Sequence, residues 1–166
     1  MKYLKYSLLL LVFICFGCEV NNTPTSKVDE LFNKYQMVDE DISQGITKVL
    51  DEQNYNEEQR KKYRTILERQ YHNLSYEIKE EQIDGDNATI TVEIEVYDYK
   101  KTISNLTYDS STTSLEEYND KKIALLEKAK DKVIYTLDID LSKDSNGKWK
   151  VNALSNANLK KIQGMY

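Results

Sequence analysis

Cysteine is almost absent from this chain, and its placement removes several kinds of chemistry. The 166 residues include 2 cysteines, Cys15 and Cys18, both close to the N-terminus. The rest of the chain has no thiol for a disulfide, a thiolate metal site or a cysteine nucleophile. The stability of a domain formed by that part must therefore come from packing.

Histidine and the common catalytic motifs are equally scarce. The single histidine, His72, stands between Tyr71 and Asn73 with no second imidazole nearby in the sequence. General acid–base catalysis or metal binding would need such partners, so we interpret His72 as a residue that caps a helix end. The patterns of nucleophile elbows, phosphate loops and zinc proteases are also missing, which weakens an enzymatic hypothesis without excluding it.

Positive charge is in short supply as well. The chain has 23 Lys and Arg against 28 Asp and Glu, a net charge of −5. An acidic surface argues against nucleic acid as a partner, since nucleic acid favours clustered cations. It also argues against general attraction to anionic lipid headgroups.

A hydrophobic run long enough to span a bilayer is missing too. Residues 7–17 are apolar almost throughout, but a spanning helix needs about 20 such residues. Two lysines, Lys2 and Lys5, precede this run. A basic start followed by a short apolar core is typical of an export signal.

The end of this run, Gly17 followed by Cys18, resembles the lipobox of bacterial lipoproteins. Positions 15 and 16 hold Cys and Phe, where the family usually has an aliphatic and a small residue. The resemblance implies a signal peptide at 1–17 and acyl chains, such as palmitate, on Cys18 at the extracytoplasmic face of the cell membrane. Several acyl chains anchor a protein stably. The alternatives are an ordinary signal peptide or an uncleaved anchor.

The segment after Cys18 is polar and holds the single proline, Pro24. We predict a lipidated cysteine and flexible tether over 18–26, in which residues 19–26 reach at most about 28 Å. The remaining residues, 27–166, suffice for one domain with one core.

Hydrophobic periodicity predicts helices first and strands later. Three amphipathic helices are expected: one capped by Ser26, one over 39–53, and one capped by Asn56. The period then changes from 3.6 to 2. The later expected elements are strands at 74–83 and 88–97, a polar loop at 102–114, a helix at 115–130, strands at 133–141 and 149–153, and a helix at 156–162.

This order predicts an α+β fold, with N-terminal helices packed on a curved antiparallel sheet of about four strands. Residues 74–78, 83–92, 147–151 and 159–166 carry a further resemblance. They resemble nuclear transport factor 2-like, or cystatin-like, cone domains, and more closely small lipoproteins of low-GC Gram-positive bacteria with such a domain of unknown function. The resemblance implies a concave sheet that can enclose a pocket.

Asp98 is the candidate catalytic residue. It continues the parity of the apolar strand residues 88, 90, 92, 94 and 96, and cone-fold isomerases and dehydratases keep a carboxylate in the cavity. The alternative, which we favour, is that Asp98 marks the point where the strand leaves the core.

Four other acids share the polar faces of predicted strands: Glu93, Glu95, Asp138 and Asp140. Grouped carboxylates could hold calcium, but a solvated sheet face is the more usual meaning of this pattern, and we predict no metal and no cofactor.

Three functions remain open. The leading hypothesis is a non-catalytic lipoprotein, attached to the membrane through Cys18, that binds a protein partner or a small ligand but no nucleic acid. The second is a small isomerase or dehydratase using Asp98. The third is a purely structural or immunity-type surface protein.

Overall fold

A computed structural model describes residues 22–166 of the chain. The elements in chain order are α1 (Pro24–Met37), α2 (Glu40–Asp51), α3 (Glu57–His72), β1 (Ser75–Asp84), β2 (Asn87–Tyr97), α4 (Tyr99–Thr102), α5 (Leu115–Glu127), β3 (Lys132–Lys143), β4 (Trp149–Val151) and α6 (Asn156–Ile162). The predictions for the signal peptide, for Cys18 and for the start of the tether lie outside the described residues. Within residues 22–166, no helix is both long and apolar enough to cross a membrane.

The first helix begins earlier than the sequence pattern predicts. Thr23, not Ser26, is the N-cap, and the two residues form a reciprocal capping box with bonds of 3.1 and 3.0 Å. Pro24 takes the first helical position, where its missing N–H costs no helical hydrogen bond. The prediction of a tether as far as residue 26, and of a domain starting at 27, is therefore wrong: residues 23–26 belong to the folded domain.

The four strands form one antiparallel sheet in the order β1-β2-β3-β4, which confirms the α+β prediction. Along β2 the residues of one face are buried, and they alternate with partly exposed polar neighbours. Gly85 has φ +60° at the first central position of the two-residue loop between β1 and β2, as a type II′ turn requires.

A bulge in β1 changes which side chains face the helices. The pairing passes from Ile78 with Val92 to Glu80 with Thr91, so one residue of β1 is skipped. Beyond this point Glu81 shares the inner face, where its carboxylate accepts a hydrogen bond from the backbone N–H of Thr25 at 3.3 Å. The far end of β1 is thereby joined to the start of α1.

Helix α1 packs on the inner face of the sheet, against β1, β2 and β4. Val28 and Phe32 are completely buried there, and the Phe32 ring stacks on Tyr76 with 4.7 Å between centroids. Tyr35 of the same helix meets the edge of the Tyr71 ring on α3 at 5.1 Å. Aromatic side chains of α1 thus occupy the concave side of the sheet.

Candidate functional site

Asp98 does not continue the buried face of β2. The strand ends at Tyr97, and Asp98 becomes the N-cap of α4, its carboxylate accepting from the backbone N–H of Lys101 at 2.8 Å. The strand parity ends where the backbone turns into this helix, and the side chain is partly exposed. The prediction of a cavity carboxylate is wrong, and the alternative, a residue at the end of the strand, is confirmed.

His72 is the last residue of α3 and is exposed. Its Nδ1 atom lies 2.6 Å from the backbone oxygen of Gln36, near the end of α1. Because a carbonyl oxygen can only accept, Nδ1 carries the proton and donates it. The interpretation of His72 as a residue that caps a helix end is confirmed, and the helix it caps is α1.

The four acids lie on the outer face of the sheet in cross-strand pairs. Asp138 and Asp140, both exposed, accept hydrogen bonds of 2.9 Å from the hydroxyls of Thr91 and Thr89. Glu95 and Glu93 form ion pairs with Lys132 at 2.8 Å and Lys79 at 3.6 Å. No group of three or more His, Cys, Asp or Glu residues within 22–166 is arranged to hold a metal ion. The arrangement agrees with a solvated face stabilised by neighbouring pairs.

A cleft of about 630 Å³ lies between α1 and the edge strand β4. Its lining combines lysines of α1, of β4 and of the residue before β4 with apolar residues. The lining residues are Asn22, Lys27, Glu30, Leu31, Lys34, Lys148, Trp149, Lys150 and Val151. The three helical residues Lys27, Leu31 and Lys34 are spaced so that they share one face of α1.

Asn22 holds the start of the domain at the edge of the sheet. Its Oδ1 atom accepts a hydrogen bond of 2.9 Å from the backbone N–H of Trp149. Trp149 is the only tryptophan of the chain, and 7 % of its surface is exposed. The Lys143 ammonium lies 4.9 Å from the centre of its ring. The chain therefore enters the fold at the mouth of the cleft.

The turn before β4 fixes the two lysines that flank Trp149. The Asp144 carboxylate accepts from the backbone N–H groups of Asn146 at 2.8 Å and Lys148 at 3.0 Å, and pairs with the Lys150 ammonium at 3.1 Å. Hydrogen bonds from these backbone groups, and then from Lys150, hold the pKa of Asp144 below its usual value.

Three of the four lysines in the cleft also have acidic neighbours. Lys27 pairs with Glu30 at 2.9 Å, and this hydrogen bond lowers the pKa of Glu30. Lys34 lies 3.6 Å from Asp41, and Lys150 contacts Asp144. Lys148 forms no ion pair with any residue in the described part of the chain. The lining itself holds four cations against one carboxylate, so the cleft can accept a negatively charged group above an apolar floor.

A second depression, of about 850 Å³, lies along α1 next to the first and shares Lys27, Glu30 and Lys34 with it. Its lining residues are Ser26, Lys27, Asp29, Glu30, Asn33, Lys34, Met37 and Asp39. All of them belong to one helix and the turn that follows it. Because no second element forms a wall, we regard the cleft between α1 and β4 as the candidate site.

The sequence interpretation missed this cleft. Residues 147–151 are predicted as strand and turn, and Lys27 and Lys34 are not among the predicted site residues. The spacing of these two lysines around Leu31 could have indicated a basic stripe on the first helix. What it could not indicate is the packing of that helix beside β4, which brings residues far apart in sequence together.

Comparison with known proteins adds no relative: the chain matches no protein-family model, no curated protein and no solved structure. The resemblance to lipoproteins and to nuclear transport factor 2-like domains therefore stays a prediction based on the sequence. The α+β architecture rests on the described structure alone.

Proposed function

We propose that the protein is a lipoprotein anchored at the extracytoplasmic face of a bacterial cell membrane through acyl chains on Cys18. Its domain binds a ligand or partner without catalysing a reaction. A basic N-terminus, a short apolar run and the Gly17–Cys18 pair support the anchor. A nuclear transport factor 2-like relationship is part of the same proposal.

The observation that carries the binding function is the cleft between α1 and β4. Its lining combines lysines with the apolar residues Leu31, Trp149 and Val151, the mixture expected of a site for a ligand with polar and apolar parts. The site contains no histidine, and its one carboxylate, Glu30, is paired with Lys27. These features favour binding over acid–base chemistry.

The anchor is tested by mass spectrometry of the N-terminal peptide from protein expressed with its own leader in a bacterial host. We expect cleavage before Cys18 and a diacylglyceryl group on its sulfur, with the protein in the membrane fraction. The Cys18→Ser variant should lose the modification. The matched Cys15→Ser variant should keep it, because Cys15 lies in the removed segment. An unmodified Cys18 in the native protein would refute the proposal.

A further inference from the structure

The position of the cleft relative to the proposed anchor suggests what it binds. The described chain begins at Asn22, whose side chain is bonded to Trp149 at the mouth of the cleft. Cys18 lies four residues earlier, a separation of at most about 14 Å even when fully extended. If Cys18 carries acyl chains, as proposed above, this end of the domain is held within reach of the lipid headgroups.

The charge of the cleft suits a phosphate group. Lys27, Lys34, Lys148 and Lys150 are among its lining residues, although the chain as a whole carries a net charge of −5. In each of the three pairs of a lysine with an acidic neighbour, at least one side chain is more than half exposed, and ion pairs open to solvent contribute little free energy. A phosphate can therefore recruit them without disrupting a buried network.

Apolar side chains at the same end of the sheet suit contact with a lipid surface as well as with a phosphate group. Residues Ile83, Ala88, Leu141 and Val151 form one row across the inner face of the sheet. Val151 lies in the cleft at one end of this row, and Ile83 is 57 % exposed at the other. A headgroup in the cleft would thus place Ile83 close to the interfacial region of the bilayer.

We propose that the cleft between α1 and β4 binds the phosphate headgroups of anionic lipids in the membrane that anchors the chain. The domain then rests on the bilayer by the end that carries Asn22, instead of swinging freely on its tether. The acidic outer face of the sheet remains turned toward solvent. This inference depends on the proposed anchor and corrects, for this one end, the expectation that the acidic chain avoids anionic lipids.

The competing occupant is an extended acidic peptide that adds as a strand to the free edge of β4. Strand β4 has only three residues, Trp149–Val151, and the outward N–H of Trp149 is already bonded to Asn22. Such a short edge offers few main-chain hydrogen bonds, and lysines on edge strands commonly prevent strand addition. The lipid surface is therefore favoured.

The single tryptophan makes the proposal testable in the full, lipidated chain. The protein is placed in phosphatidylcholine vesicles with or without about one third of brominated phosphatidylglycerol, and quenching of Trp149 emission is measured. We expect quenching with the anionic lipid that is reversed by high salt. Replacing Lys148 and Lys150 by Gln should lower the ratio of docked to free domain by about fivefold for each lysine.

The matched control replaces Lys128 and Lys130 by Gln, which removes the same charge between α5 and β3, at the other end of the sheet. This variant should dock like the unchanged protein. Equal quenching by brominated phosphatidylcholine, or equal loss in both double variants, would overturn the proposal. A response of Trp149 in detergent to inorganic phosphate or to an acidic peptide, without one to vesicles, would also overturn it. Mass spectrometry of Cys18 on the same sample separates failure of the anchor from failure of the cleft.

Discussion

Where β2 ends, Gln70 of α3 donates to the backbone oxygen of Tyr97 at 3.1 Å and accepts from its N–H at 3.0 Å. Gly164, after α6, packs against the same residue, and its carbonyl accepts from Lys100 N–H at 2.8 Å. At the opposite end of the sheet, one bond from Asn22 holds the edge, and a cleft is left open. We call these the closed end and the open end.

The two ends of the sheet differ in role. The closed end contributes to the stability of the domain, and the open end holds the proposed binding site. At the closed end the buried Gln70 amide and the backbone of Tyr97 are paired with each other, so a change at Gln70 leaves buried groups unsatisfied. At the open end Asn22 is half-buried and lines the cleft, so water can take the place of its side chain. We therefore expect large effects on unfolding at the closed end and small ones at the open end, where ligand contact is proposed.

The largest expected effect comes from Gly164→Ala at the closed end. Gly164 has φ +68°, and an added Cβ would overlap the Tyr97 carbonyl oxygen and the Gln70 side-chain amide. Left-handed backbone and overpacking together should lower the free energy of unfolding by about 3 kcal/mol. Urea unfolding of the full chain in mild detergent, followed by circular dichroism, measures this.

The matched control is Gly45→Ala in the middle of α2, where nothing lies within 4 Å of an added Cβ. The same substitution there should raise the stability, by up to about 1 kcal/mol. If both variants lower the free energy of unfolding by similar amounts, the close packing around Gly164 is not what stabilises the closed end.

Gln70→Leu should have the next largest effect. Gln70 is completely buried, and its loss leaves the N–H and C=O of Tyr97 without partners, at a cost of about 2 kcal/mol. Gln82→Leu, on the exposed part of β1, is the control and should change the stability by less than about 0.5 kcal/mol. A loss at Gln70 no greater than at Gln82 would contradict the assignment of a closed end.

The sequence predicts much of the fold because its signals there are local. Alternation along 88–96 identifies the central strand, Asp84-Gly85-Asp86-Asn87 identifies the first hairpin, and Asn56 is the N-cap of α3 as expected. Each of these depends on neighbours within a few residues. The single proline, Pro24, gives a wrong prediction of a tether, because proline suits a linker and a first helical position equally well.

Neither end of the sheet could be predicted, since both depend on distant contacts. In the sequence, Gln70 cannot be distinguished from any other polar residue of an amphipathic helix, because its contact with Tyr97 is not visible there. Gly164 likewise cannot be distinguished from any other glycine that follows a helix. The bulge in β1 likewise moves Glu81 to the inner face, although no glycine or proline in the strand indicates a bulge. Asp98 is the opposite case. The alternation along β2 predicts that it continues the buried face, but the strand ends one residue before it.

At the open end, Asn22→Ala should cost about 1 kcal/mol or less. It removes a single hydrogen bond to Trp149 N–H, for which water can substitute. Urea unfolding and the emission maximum of Trp149 report the change, and Asn22→Asp, which keeps an acceptor oxygen, should behave like the unchanged protein. A loss above about 2 kcal/mol would mean that the open end is as tightly coupled to the core as the closed end.

The smallest effect is expected from protonation of Asp144, in the turn that fixes Lys148 and Lys150. Because the folded state lowers its pKa below the ordinary value of 3.8, its contribution is present above that pH and is lost as the pH falls through the lowered value. The carboxylate then accepts the N–H of Lys148 less strongly, and Trp149 beside it should report local loosening before the domain unfolds. Asp144→Asn keeps an acceptor oxygen that does not titrate, so its Trp149 emission should lack this transition. A midpoint at or above pH 3.8, or the same transition in the Asn variant, would assign the change to another group.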